Sequence, residues 1–170
     1  MPAFVPLFLV ATDAKVTKLP SVARIEGLIA DGLDTGAVFQ SVSANSWHQS
    51  LTVAIQQAMA VEGLAFLLKQ RALLPPQEVA AALSATRAIV SRLQHGQLPP
   101  IIASDDAAFL SEIDVPRELA AAEPTLDLEP EADIGPKAAR GYCVYLKSLS
   151  SFLEHAQTKG RSVLHYAPPP

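Results

Sequence analysis

The strongest constraint on this chain is the stretch over residues 46–96, where apolar residues recur at helical spacing. Ser46 and the glutamine three residues later match a capping box for a first helix. This helix runs to about Leu74, where two prolines end it and begin the next, since proline lacks an amide yet suits the first helical position. Gly96 ends the second helix. Because the connection is short, the pattern predicts an antiparallel helical hairpin over residues 46–96.

Further helical patterns lie on both sides of this hairpin. Apolar spacing, helix caps and helix-ending glycines predict helices at residues 20–32, 34–42, 104–113, 114–119 and 136–159. The fold class predicted from these patterns is all-α: a single-domain helical bundle of about five to seven helices over residues 1–170, built on the hairpin.

The two ends of the chain lack a helical period. Residues 1–18 are predicted to form an extended N-terminal segment, whose apolar part, from Phe4 to Val10, suits a buried or edge strand. An arm inserted into a partner is the alternative. Residues 161–170 form a C-terminal tail in which Val163 to Tyr166 suit a short strand. Pairing of the two ends would give the bundle a small two-stranded β addition.

The composition favours a folded chain with surface to spare. Apolar residues make up 49% and charged residues 18%, and the mean hydropathy is +0.23, so disorder is disfavoured. This much apolar surface favours a partner. The single Cys143 excludes an internal disulfide, is expected to be buried, and fits a reducing compartment. The apolar start lacks a basic leader, so the predicted localisation is cytoplasmic.

No common catalytic signature is present. The chain has no glycine-rich phosphate loop, no HExxH motif, no nucleophile elbow and no calcium loop. None of the four histidines has another at ligand spacing, which favours structural or solvated roles. Only Glu154, His155 and His165 could form an acid–base or metal cluster, if the last segment folds back. No catalytic residue, metal or cofactor is therefore predicted.

The most distinctive feature is an acidic segment, defined here as residues 104–135, which also contains several prolines. It holds ten acids against the single base Arg117, a local balance of −9 in a chain whose total is −4. A solvated loop explains such a block, and so does a surface that docks a basic partner. The candidate partner-binding residues are Asp105, Asp106, Glu112, Asp114, Glu118, Glu123, Asp127, Glu129, Glu131 and Asp133.

These patterns favour a non-enzymatic protein-binding module whose acidic segment docks a basic partner, for example a bacterial toxin-neutralising (immunity) protein or an adaptor subunit. One alternative is a small enzyme or ligand-binding bundle with a pocket between the hairpin and the last helix, lined by Tyr142, Tyr145, Glu154 and His155. A structural subunit of a homo-oligomer is the other. Nucleic acid is disfavoured as a partner because the basic residues do not cluster, and a membrane because no helix has a densely basic face.

Overall fold

The computed structural model describes residues 4–44, 63–97, 114–128 and 136–169, without the side chains of residues 4–6, 42–44 and 136–142. Within these ranges the chain forms four α-helices and a four-stranded antiparallel sheet. The prediction of an all-α helical bundle is therefore wrong, and the fold is mixed α/β. In chain order the elements are β1 (Phe4–Thr12), α1 (Val22–Gly32), β2 (Val38–Ala44), β3 (Arg71–Leu74), α2 (Pro76–Gln94), α3 (Val115–Ala121), α4 (Pro136–Thr158) and β4 (Ser162–Tyr166).

The sheet has the strand order β2-β1-β4-β3. The two terminal segments do pair, with Leu9 of β1 opposite His165 of β4. They are the two central strands of the sheet, however, and not a small addition to a bundle. Strands β2 and β3 form the two edges.

The predicted hairpin over residues 46–96 is wrong in its first arm. Residues 71–74 are a strand, in which Leu73 lies opposite Leu164, and a 3-10 turn (Ala65–Leu68) precedes it. A local reason is that Leu74 is followed by proline, which disfavours the helical conformation of the residue before it. The start of this arm, residues 46–62, lies outside the described residues.

The second arm of that hairpin is present as α2. Pro75 and Pro76 lie at its first positions. The helix ends as predicted at Gly96, which has a φ of 74° that costs glycine little. There the amide of Gln97 donates to the carbonyl of Arg92.

Of the other predicted helices, 20–32, 114–119 and 136–159 are confirmed as α1, α3 and α4. The predicted helix over 34–42 is wrong, because residues 38–44 form β2. Val38 and Phe39 are both buried, but in the two different cores on opposite faces of the sheet. That is the alternation of a strand. The predicted helix over 104–113 lies outside the described residues.

The strands bury side chains on both faces, which gives the described fold three layers. On one face, α1 covers a small core that contains Val10, Ile25, Leu164 and other apolar side chains. On the other face, α2, α3 and α4 cover a larger core, to which β1 contributes Leu9. Burial of each large apolar side chain stabilises the fold by about 1.5–3 kcal/mol. Among the described residues, no helix is long and apolar enough to cross a membrane.

Candidate functional site

The described part of the acidic segment, residues 114–128, is attached to the body of the protein at several points. Helix α3 buries Val115 and Leu119 in the large core. After the helix, the amide of Thr125 donates to Ser148 Oγ of α4 at 2.9 Å. These contacts place the exposed side chains of this part on an ordered support.

The same segment also closes one edge of the sheet at a single residue, Gln40 of β2. The amide of Gln40 in β2 donates to the carbonyl of Leu126 at 2.8 Å, and the amide of Leu128 donates to the carbonyl of Gln40 at 2.9 Å. Gln40 and Asp127 thereby form a parallel β-bridge. Both outward backbone groups of Gln40 are satisfied by this chain itself.

Four of the candidate partner-binding acids lie on this support. Asp114, Glu123 and Asp127 are exposed, and within the described ranges their carboxylates form no ion pair. Asp114 also caps α3, since its Oδ1 accepts from the amide of Arg117 at 3.3 Å. Glu118 is half-buried, and its charge acts on the thiol of Cys143.

The other six candidate acids lie outside the described residues: Asp105, Asp106, Glu112, Glu129, Glu131 and Asp133. The described part of the acidic segment therefore carries three exposed carboxylates, of which Asp127 lies at the closed edge of the sheet. Such a surface attracts cationic groups of a partner through complementary charge.

The residues of the alternative pocket have separate surroundings. The ring of Tyr145 packs against Phe39 with 6.0 Å between centroids, and burial raises the pKa of Tyr145. Glu154 pairs with Arg87 at 3.4 Å on the surface, with more than half of each side chain exposed. His155 is exposed, and its ring forms no hydrogen bond to a described residue. The side chain of Tyr142 lies outside the described residues.

His165 is the most unusual polar side chain in the core. It is 1% exposed, and neither ring nitrogen has a hydrogen-bond partner among the described residues. Its ring stands edge-on to Phe66 with 5.8 Å between centroids. Burial lowers the pKa of His165 from 6.5 to about 4, so the imidazole is neutral at pH 7. His165 does not join exposed His155 and Glu154 in a cluster, and no group of three metal-ligating side chains occurs among the described residues.

Cys143 is buried on α4, as expected from its apolar neighbours in the sequence. Burial raises the pKa of this thiol to about 11, and the nearby charge of Glu118 adds to the shift. The thiolate, which is the reactive form, is therefore scarce at neutral pH. This environment suits a structural side chain.

A groove of about 420 Å³ lies beside the opposite edge of the sheet, at β3. One wall is the loop between β1 and α1, and the other is the first turn of α2. Lys69 and Arg71 bring positive charge to it, and Arg71 is held in place because Nη1 donates to the carbonyl of Pro20 at 3.3 Å. Sequence reasoning missed this groove, since it interpreted residues 71–74 as the end of a helix. The proline after Leu74 was the available signal for extended backbone.

Comparisons with known proteins give no relative for this chain. No protein-family model matches it, and no curated protein and no solved structure is similar to it. The function is therefore inferred from the residues of this chain and their surroundings.

Proposed function

We propose that this chain is a non-enzymatic protein-binding module whose acidic segment docks a basic partner. The observation that carries the proposal is a set of three exposed acids, Asp114, Glu123 and Asp127, on the ordered backbone of residues 114–128. Their carboxylates have no ion pair within the described residues, while the backbone beneath them is bonded to β2 and α4. A fixed surface with a net negative charge lowers the entropic cost of binding and steers an oppositely charged protein towards it.

The chemistry of the described residues also supports a binding role over catalysis. The buried imidazole of His165 lacks a polar partner in the described part of the chain, the thiol of Cys143 is buried, and Glu154 pairs with Arg87 on the surface. Acid–base and nucleophilic catalysis need such groups to converge within hydrogen-bond reach. We place the module in the cytoplasm, where a single reduced cysteine is usual. A toxin-neutralising protein and an adaptor subunit are two concrete forms of this function.

The test is a charge reversal on the support, with a control of equal charge change elsewhere. Proteins captured by the wild-type chain are compared with those captured by Glu123→Lys/Asp127→Lys and by Asp31→Lys/Asp34→Lys. Asp31 and Asp34 are exposed carboxylates near the end of α1, so the control changes the total charge by the same amount. Asp114 is left intact because it caps α3.

We expect the wild-type chain and the control to capture a partner that the Glu123→Lys/Asp127→Lys variant does not capture. With that partner purified, the dissociation constant of the variant should be about tenfold higher or more than that of the wild-type chain. Added salt should weaken wild-type binding steeply. Equal capture by all three chains, or binding that is indifferent to salt, contradicts the proposal.

A further inference from the structure

Strand β3 forms the second edge of the sheet, and its register shows which backbone groups face outwards. Gln70 accepts from the amide of Ala167, the residue that follows β4. Hydrogen-bonded pairs alternate along an antiparallel ladder, so Ala72 and Leu74 also face β4. Arg71 and Leu73 then direct their amides and carbonyls away from the sheet, and neither amide has a backbone partner within the described residues.

The groove lies along this edge and offers more than bare backbone. Its walls include apolar side chains of the β1–α1 loop, among them Val16 and Leu19, and Leu19 is 43% exposed. Pro75 and Glu78, at the start of α2, line the groove as well. A volume of about 420 Å³ is within the size range of pockets that bind small ligands or a few side chains.

The charge around the groove is opposite to that of the whole chain. The two stretches that line it, residues 13–20 and 69–78, hold four bases against two acids, a balance of +2 in a chain with a total of −4. Lys69 and Arg71 both line the groove, with Arg71 as the first residue of β3 and Lys69 two positions before it. Lys69 is exposed and forms no ion pair with a described carboxylate.

We propose that the free edge of β3 and its groove bind an extended acidic peptide segment of another protein by strand addition. The backbone of Arg71 and Leu73 supplies the main-chain hydrogen bonds to the added strand. The groove accepts those side chains of the added strand that point towards it. The cations at Lys69 and Arg71 select carboxylates, since a strand with alternating acidic residues presents them all to one face. This site is separate from the acidic surface and takes a partner of the opposite charge.

The short length of β3, with a lysine before it and a proline after it, also limits uncontrolled pairing between sheets. Edge protection alone does not account for the adjoining groove or for its positive charge. With two outward-facing residues, the edge admits only a few main-chain hydrogen bonds. The added strand is therefore short, and its charge provides much of its selectivity.

The experiment measures binding of fluorescein-labelled peptides to the full chain by fluorescence anisotropy. One peptide alternates valine and glutamate, a second alternates valine and lysine, and a third is the valine–glutamate peptide with alternate backbone amides methylated. The first peptide is expected to bind at least about tenfold more tightly than the other two. Similar affinity for all three overturns strand addition by an acidic peptide.

Two variants that change the total charge by the same amount locate the site. Lys69→Glu should weaken binding of the valine–glutamate peptide by about tenfold. Arg117→Glu, at an exposed position of α3, should change it by less than about twofold. Equal loss in both variants would assign the binding to overall charge and overturn the proposal. A stable dimer that the peptide fails to dissociate would mean that a second copy covers the edge, which also overturns it. The proposed function has its own test in the Glu123→Lys/Asp127→Lys variant, so a failure of peptide binding here leaves it unaffected.

Discussion

The two edges of the sheet differ in how their outward backbone groups are treated. At β2, Gln40 bonds in both directions to residues 126–128, which come from far along the chain. At β3, Arg71 and Leu73 face a groove. The exposed carboxylate of Asp127 lies at the closed edge, and the cationic side chains of Lys69 and Arg71 lie beside the open edge.

This difference shows that the rest of the chain decides whether the outward backbone of an edge strand is covered or left accessible. Unpaired backbone at a sheet edge is a template for another strand. The acidic segment covers that template at Gln40 of β2 and carries the exposed carboxylate of Asp127 there. At β3 the template remains, and four predictions test or sharpen this contrast.

The largest expected effect comes from removing the anchor of the closed edge. Leu119→Ala empties a fully buried site between α3 and the large core and should lower the free energy of unfolding by about 2–5 kcal/mol. Urea unfolding measures it. Leu126→Ala is the control, since Leu126 is 44% exposed in the same segment, and its cost should stay below about 1 kcal/mol. Equal costs would show that the segment is not anchored through α3.

The next effect is a dependence of stability on pH that originates next to the open edge. His165 lies on β4, paired with β3, and burial lowers its pKa from 6.5 to about 4. Above pH 6.5 the imidazole is neutral in both the folded and the unfolded chain, so its full contribution is present. As the pH falls from 6.5 to 4, the unfolded chain takes up a proton that the folded chain does not. Stability should therefore fall by about 3 kcal/mol across this window.

Urea unfolding at a series of pH values measures this loss, and His165→Leu isolates it from the titration of carboxylates. That variant should lose much of the decline between pH 6.5 and 4, and at pH 7 it should be as stable as the wild type or more so, because it removes a buried polar group without a partner. His155→Leu, at an exposed position, should keep the wild-type pH profile. A profile that is the same in all three chains contradicts the assignment to His165.

A smaller effect is expected from one hydrogen bond that holds the acidic segment to α4. Ser148→Ala removes the acceptor of the Thr125 amide and should cost about 1–2 kcal/mol, because the amide is partly buried. Ser151→Ala, at an exposed position of the same helix, is the matched control and should be close to neutral. Thermal unfolding of both variants is the measurement, and a neutral Ser148→Ala would mean that water replaces the bond without cost.

The smallest perturbation is amide hydrogen exchange, which changes no residue and reads the two edges directly. The amides of Gln40 and Leu128 should exchange slowly at the closed edge, and those of Arg71 and Leu73 quickly at the open one. Ala72, which faces β4, serves as the protected control within β3. Slow exchange at Arg71 and Leu73 would mean that the second edge is also covered in solution, and the contrast between the edges would fail.

Helices with complete end signals could be predicted from sequence, whereas strands inside helix-compatible patterns could not. Prolines at the start and Gly96 at the end located α2, and Gly160 located the end of α4. The sequence predicts helix over residues 38–42 and 71–74, which are strands, because short apolar runs fit both periods. The acidic residues could be found by charge alone, but not the fact that their backbone closes the edge at Gln40. The groove was missed because its existence depends on β3 lying at an edge.

By itself, the sequence determined where the strong helices stop, that a buried thiol would be inert, and that the acids would be gathered in one segment. Each of these follows from local chemistry: proline lacks an amide, glycine tolerates positive φ, and charge segregation can be counted. Tertiary contacts are needed to place the two ends of the chain at the centre of a sheet. They also bury His165 without a partner among the described residues and pair residues 126–128 with one edge of the sheet at Gln40. Strand pairing joins residues far apart in sequence, and the short apolar runs that form these strands have no local preference strong enough to specify the pairing.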